Sequence, residues 1–162
     1  MERITNTHVF FWGLEFSNWY GCLFTYKGKN FYNSEQAFMW EKALYFNDNT
    51  IAEEILHTSS PKVAKELGRE IRNFNREKWS EVSYDIMIDV NIAKYTSDPY
   101  LEDILLSTGD KTIVEASPTD SIWGIGLHWS DDKVLDESKW QGQNLLGKAL
   151  MEVRTKLQNN GK

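Results

Sequence analysis

The sequence predicts an α+β fold: one helix-rich domain carrying a small, mainly antiparallel sheet. From Arg76 onward, Trp79, Val82, Ile86, Val90 and Ala93 recur at spacings of three and four, the period of an amphipathic helix. CLFTY (22–26) and KNFY (29–32) are short strand-like runs separated only by Lys27 and Gly28, where glycine supplies the positive φ of a tight hairpin. Near the end, Leu146, Ala149, Leu150, Val153 and Leu157 line one side of a second helical pattern.

In chain order, HVFFW (8–12) reads as a first strand, followed by the hairpin. Ser34 to Phe46 reads as a helix, with Asn33 and Gln36 at capping spacing and Asn47, Asp48 and Asn49 closing it. IAEEIL (51–56) is a short helical segment. Ser60 before Pro61 gives an N-cap and a first-turn proline for a helix running to about Ile71. Arg76 opens the long helix, and Asp98 with Pro99 opens the next. After Gly109, TIVEA and SIWGIG read as two strands separated by the turn residues Ser117 to Asp120. Asn144 is placed to cap the last helix, with fraying expected over 157–162. No repeat, low-complexity tract or Pro/Gly/Ser-rich linker divides 1–162, so a single domain is expected.

Composition limits the function classes. Hydrophobic residues are 41% and charged residues 26% of 162, an ordinary globular balance. No apolar run approaches the roughly 20 residues that span a bilayer, and the N-terminus lacks the sections of a signal peptide; a cytoplasmic protein without membrane attachment is expected. A net charge of -6 argues against broad binding to nucleic acid, which needs clustered Lys and Arg. The single cysteine, Cys22, sits in an apolar segment without an adjacent base and reads as packing. His8, His57 and His128 form no metal-ligand spacing, so neither a metal nor another cofactor is expected.

Three constellations could carry chemistry. On an ideal helix Lys42 falls about 20° from Glu35, two turns on, among Phe38, Met39 and Phe46. Both charges could lie at the edge of that stripe and send their heads to water. Buried, the lysine would have a lowered pKa and offer a neutral amine to an aldehyde-like carbon, with the carboxylate moving protons. Second, Glu115 to Trp123 (EASPTDSIW) sets two carboxylates around a turn, a setting suited to glycosidic cleavage, although Asp120 is also a natural turn residue. Trp123 beside Gly124 and Gly126 adds a stacking face next to backbone that a ligand could approach, with core packing as the alternative. Third, GQNLLGKA (142–149) lacks the Ser or Thr that a P-loop needs where Ala149 stands. It keeps the character of a helix N-terminus with free N–H groups suited to phosphate.

FSNWY (16–20), NSEQAFMWEKALYF (33–46), AKELGR (64–69), LLSTGDKTIVEASPTDSIWGIG (105–126) and WQGQNLLGKALMEVR (140–154) resemble, in order, the motifs of the NADAR (YbiA-like) family. The resemblance covers nearly the whole chain. It implies hydrolysis of N-glycosidic bonds in substrates that carry a phosphorylated ribose, either ribosylamino pyrimidine phosphates of early riboflavin synthesis or ADP-ribose on guanine. The expected partner is thus a phosphorylated ribosyl or ADP-ribosyl substrate, with ADP-ribosylated nucleic acid as a further candidate and no obligate protein partner. Carried over by position, Lys42 takes the role of Schiff-base lysine, with Glu35 and Asp120 as catalytic carboxylates. Asn18, Arg69, Trp79, Trp123, Gly126, Asn144 and Gly147 become substrate-binding matches. Many relatives have histidine after the glutamate; here Gln36 stands there and can be neither acid nor base. The alternative function is a nucleotide-binding module that recognises ADP-ribose without cleaving it.

Overall fold

Strand β2 (His8–Phe11) takes its place between β1 (Glu2–Ile4) and β5 (Thr112–Glu115) because its side chains are almost all apolar and buried, the demand of a central strand. The computed structural model describes residues 2–160. Strand β1 pairs antiparallel with β2, whereas β5 runs parallel to it, in register from His8 opposite Thr112 to Phe11 opposite Glu115. A parallel pair needs a long crossover, and the chain between β2 and β5 supplies one. Together with the hairpin of β3 (Phe24–Tyr26) and β4 (Lys29–Phe31), this makes an α+β fold whose strand pairings are mostly antiparallel. Lys27 at φ 50° and Gly28 at φ 78° form the expected turn.

The chain divides into two compact units, Met1–Ser17 with Tyr100–Lys162, and Asn18–Pro99. In the first, α5 (Pro99–Ser107) leads to β5, and α6 (Leu145–Asn160) packs on that strand. The expected stripe of Leu146, Ala149, Leu150, Val153 and Leu157 is buried throughout. Leu157 is buried and α6 is helical to Asn160; of the stretch over which fraying is expected, Gly161 and Lys162 lie outside the described residues. Phe10, Val114, Ala116, Ile125, Leu127 and Val134 form a core cluster, with Trp129 and Trp140 against it.

The expected strand at SIWGIG does not form. Asp120 Oδ1 accepts from the N–H groups of Ile122 and Trp123 at 2.9 and 2.8 Å, which bends the chain. The following N–H groups turn inward, Ile125 to the Glu115 carbonyl at 3.0 Å and Gly126 to that of Asp120 at 3.1 Å. Local side-chain bonding thus overrides the β-branched and aromatic composition. Strand β1 is the opposite case, a short edge strand of mixed polarity that composition does not single out.

In the second unit α1 (Ser34–Tyr45) is central, packed by α2 (Asn49–Leu56), α3 (Pro61–Arg69), α4 (Arg76–Thr96) and β4. The caps are those the sequence announces: the side chains of Asn33, Asp48, Ser60 and Asn75 each accept an N–H of the helix they open. Helix α1 has no single apolar stripe, since every residue from Ser34 to Glu41 is buried. The fully buried face of α4 is also turned by about one position from the expected one, to Ser83, Met87, Val90, Asn91 and Lys94. Polar members of that face explain the displacement: Asn91 Nδ2 donates to the Met87 carbonyl at 2.9 Å, and a pattern of apolar residues passes over it. No helix among the described residues is long and apolar enough to cross a membrane.

Candidate active site

Lys42 and Glu35 stand on α1 as the heptad spacing required, and the electrostatics link them. Burial pushes the pKa of the Lys42 ammonium below the ordinary lysine value; the Glu35 carboxylate pulls it back up and the Arg69 guanidinium pushes it further down. The amine is half-buried and donates to the Gly68 carbonyl at 3.0 Å, near the end of α3. The ring of Phe74 also lies beside it, 4.5 Å from amine to ring centre. An amine so placed has one N–H directed and is partly withdrawn from solvent, which favours the neutral, nucleophilic form.

Glu35 is 9% exposed, and its backbone N–H donates to the Asn18 carbonyl at 3.0 Å. Asn18 is buried too. Its amide nitrogen approaches Met87 Sδ at 3.5 Å, and its Oδ1 has no hydrogen-bond partner among the described residues. Asn18 is therefore a binding candidate with an acceptor to offer. Arg69 is exposed and follows the residue that holds the Lys42 amine, which suits a phosphate-side cation. Trp79, half-buried, lies in an aromatic group with Phe38, Tyr45 and Phe46 at ring distances of 5.2, 6.1 and 6.3 Å. Gln36 is wholly buried: its Oε1 accepts from Tyr32 N–H at 2.8 Å, and its Nε2 donates to the Ile55 carbonyl at 3.0 Å. With both ends tied to backbone, this side chain serves the fold.

Phe74 is the neighbour of the amine that sequence reading passed over. It lies between Asn73 and Asn75 in the loop from α3 to α4, and its signal is that of an isolated aromatic in a polar stretch just after Arg69.

In the first unit the remaining candidates are tied to the backbone. Asp120 holds the turn described above, and Trp123 is half-buried within it. Gly126, at φ 71°, lies against Gln141, which a Cβ there would meet at 3.1 Å. Asn144 does not cap α6 with its side chain. Its Oδ1 accepts from Glu115 N–H and its Nδ2 donates to the Ile113 carbonyl, both at 2.9 Å, extending the pairing of β5. Nor are the first N–H groups of α6 free: Leu145 and Leu146 donate to the carbonyls of Ile122 and Trp123 at 3.2 and 3.1 Å. A Cβ at Gly147 would collide with the Ile113 carbonyl and the Asn144 side chain, so glycine there lets α6 approach β5 closely.

The geometry is thus a depressed lysine, a buried carboxylate and an arginine, within a fold that can be compared with known proteins. The NADAR domain family model matches residues 10–158. The chain belongs to the NADAR family. N-glycosidase R617 of Acanthamoeba polyphaga mimivirus is 41% identical, over 93% of this chain and 96% of that protein. N-glycosidase YbiA of Escherichia coli is 33% identical, over 88% of this chain and 81% of that protein. The NMR structure of E. coli YbiA superposes with a TM-score of 0.80 at 29% identity, covering 98% of this chain and 89% of that one. Among the described residues of this NADAR chain, no group of three or more His, Cys, Asp or Glu side chains is placed to hold a metal ion. Cys22 is half-buried, and burial pushes its thiol pKa up, away from the reactive thiolate.

Proposed function

We propose that this N-glycosidase cleaves the bond between C1 of a phosphorylated ribose and a base nitrogen, with the Lys42 amine as nucleophile. The carrying observation is the half-buried amine, directed by the Gly68 carbonyl at 3.0 Å and depressed by burial. Candidate substrates are a ribosylamino pyrimidine phosphate and ADP-ribose on guanine. The family membership and the relatives named N-glycosidase support the reaction class.

The neutral amine forms a bond to C1 as the C1–N bond breaks, the electron pair leaving with the base nitrogen, which takes up a proton. The lysine nitrogen passes a proton to the Glu35 carboxylate. The C1–O bond of the ring then opens, the ring oxygen taking that proton, and C1 is left double-bonded to a cationic nitrogen. Water adds to C1, one of its protons passes through the carboxylate to the lysine nitrogen, and the C1–N(Lys42) bond breaks as C1 becomes a carbonyl; the remaining hydroxyl proton is released, replacing the one the base took up, and the sugar and the amine are set free. Asn18 offers its free acceptor to the sugar, Arg69 pairs with a phosphate and Trp79 supplies an aromatic wall. Asp120 is a second candidate for proton transfer, and Trp123, Gly126, Asn144 and Gly147 are proposed to bind through the surfaces they shape.

Incubation with ADP-ribosylated guanosine and, separately, with a ribosylamino pyrimidine phosphate, under borohydride, tests this reading. Released base and a reduced sugar adduct on Lys42 are expected, with turnover falling roughly 10³-fold or more in Lys42→Ala. Activity retained in Lys42→Ala without any adduct transfers the chemistry to water and the carboxylates. Tight binding of both compounds without turnover identifies a binding module instead.

A further inference from the structure

The half-exposed Phe74 has no assigned role, yet its ring face lies 4.5 Å from the reacting amine. The loop that carries it is anchored on both sides. Two residues before, Arg72 donates its backbone N–H to Asp48 Oδ2 at 2.9 Å and its guanidinium to Oδ1 at 3.3 Å. One residue after, Asn75 caps α4. The ring itself meets Phe46 edge-on at 5.3 Å. A side chain 44% exposed and held this firmly is presented rather than packed. The Gly68 carbonyl accepts from the same amine at 3.0 Å.

We propose that Phe74 and the Gly68 carbonyl together form the seat of the cationic iminium intermediate, which makes Phe74 a catalytic residue of the glycosidase. The inference rests on Lys42 being the nucleophile. A protonated iminium nitrogen keeps a single N–H, and the Gly68 carbonyl is already placed to accept it. Its positive charge, spread over C1 and nitrogen, needs stabilisation at a half-buried position where solvent solvates it only in part. The negative face of an aromatic ring within about 6 Å adds to the stabilisation that the Glu35 carboxylate gives. The neutral amine that attacks gains little from the same face, so the interaction favours the charged intermediate over it.

Ribose 5-phosphate is the probe, because its open-chain aldehyde condenses with the Lys42 amine to give the same iminium and one water. Reduction by cyanoborohydride converts this to a stable secondary amine that intact-protein mass measures. The wild-type protein is expected to accumulate the adduct on Lys42. Phe74→Leu, apolar but without a face, is expected to lower the adduct roughly 2- to 30-fold, and Phe74→Tyr to restore it. Mono-, di- and trifluorinated phenylalanines at position 74 keep size and shape while draining the face of negative charge, so they remain informative if the leucine variant fails to fold. Adduct yield is expected to fall stepwise along that series. Yields that do not change with fluorination overturn the proposal. So does a Phe74→Leu protein with unchanged adduct and a raised KM for the glycosides, which identifies the ring as a contact for the leaving base. Absence of any adduct in the wild-type protein is a different failure, that of Lys42 as nucleophile, and removes both readings.

Discussion

Asp48 receives three hydrogen bonds from Arg72, one from its backbone N–H at 2.9 Å and two from its guanidinium at 3.5 and 3.3 Å, while also capping α2 through Ile51 N–H at 3.2 Å. One carboxylate thus fixes both the start of a helix and the loop that carries Phe74. The Arg72 bonds, led by its backbone N–H, hold the Asp48 pKa below the ordinary carboxylate value. Because the folded pKa is the lower one, the stabilisation is present above the unfolded value, about 3.9, and is lost as pH falls through the folded value. Asp48→Asn is therefore expected to melt below wild type at neutral pH, with the gap closing as the solution is acidified. Melting curves from pH 7 to pH 2 check this; a gap independent of pH removes the charge from the account.

The Lys42 amine gives a second pH prediction of opposite kind. In the proposed reaction only its neutral form attacks, so kcat/KM is expected to rise with pH as the ammonium loses its proton, with a midpoint below the roughly 10.4 of an ordinary lysine. Glu35 raises this pKa and Arg69 lowers it. Glu35→Gln should then move the midpoint down and Arg69→Gln should move it up, even though both variants are slower. The pH dependence of ribose 5-phosphate trapping isolates the shifts from turnover. Shifts of the same sign in the two variants contradict the assignment.

The pairing of Lys42 with Glu35 was legible because helical spacing is a geometric constant and the helix is announced by its cap at Asn33. The same rule served Asp48, Ser60 and Asn75, whose side chains cap where local sequence places them. It failed where a polar side chain bonds to distant backbone. Asn144 reads as a cap from its neighbours, but its amide is matched to β5, about 30 residues earlier, and nothing local encodes that partner. SIWGIG failed for a related reason: β-propensity describes a fit to a pleated surface, and Asp120 bends this segment before any such surface is offered. Phe74 was invisible because its contact with Lys42, more than 30 residues away, and the Asp48 anchor of its loop are both made by the fold.

Asn144 and Gly147 make a local test of how α6 is joined to β5. Asn144→Leu removes both bonds to the strand and leaves Glu115 N–H and Ile113 C=O without them, at a cost of roughly 1–3 kcal/mol for each group. Gly147→Ala sets a methyl group against the Ile113 carbonyl and is expected to destabilise by about 1–3 kcal/mol. The two sites are in contact, so the double variant should depart from the sum of the singles. Denaturant unfolding of the three proteins measures this; a stable Gly147→Ala protein would show that α6 can move away from the strand at little cost.

Asp120 separates structure from chemistry in a single position. Its Oδ1 accepts from Ile122 and Trp123 N–H at 2.9 and 2.8 Å, a task that an asparagine oxygen performs equally well. Asp120→Asn is therefore expected to keep the wild-type melting temperature. Asp120→Ala leaves both N–H groups without that acceptor and should lose roughly 1–3 kcal/mol. If the carboxylate moves protons in the glycosidase reaction, the asparagine variant loses about 10²-fold or more in kcat despite its intact fold. Stability and kcat of the two variants, measured side by side, give the answer. Full activity in Asp120→Asn assigns the residue to the turn alone and leaves Glu35 as the carboxylate that moves protons beside Lys42.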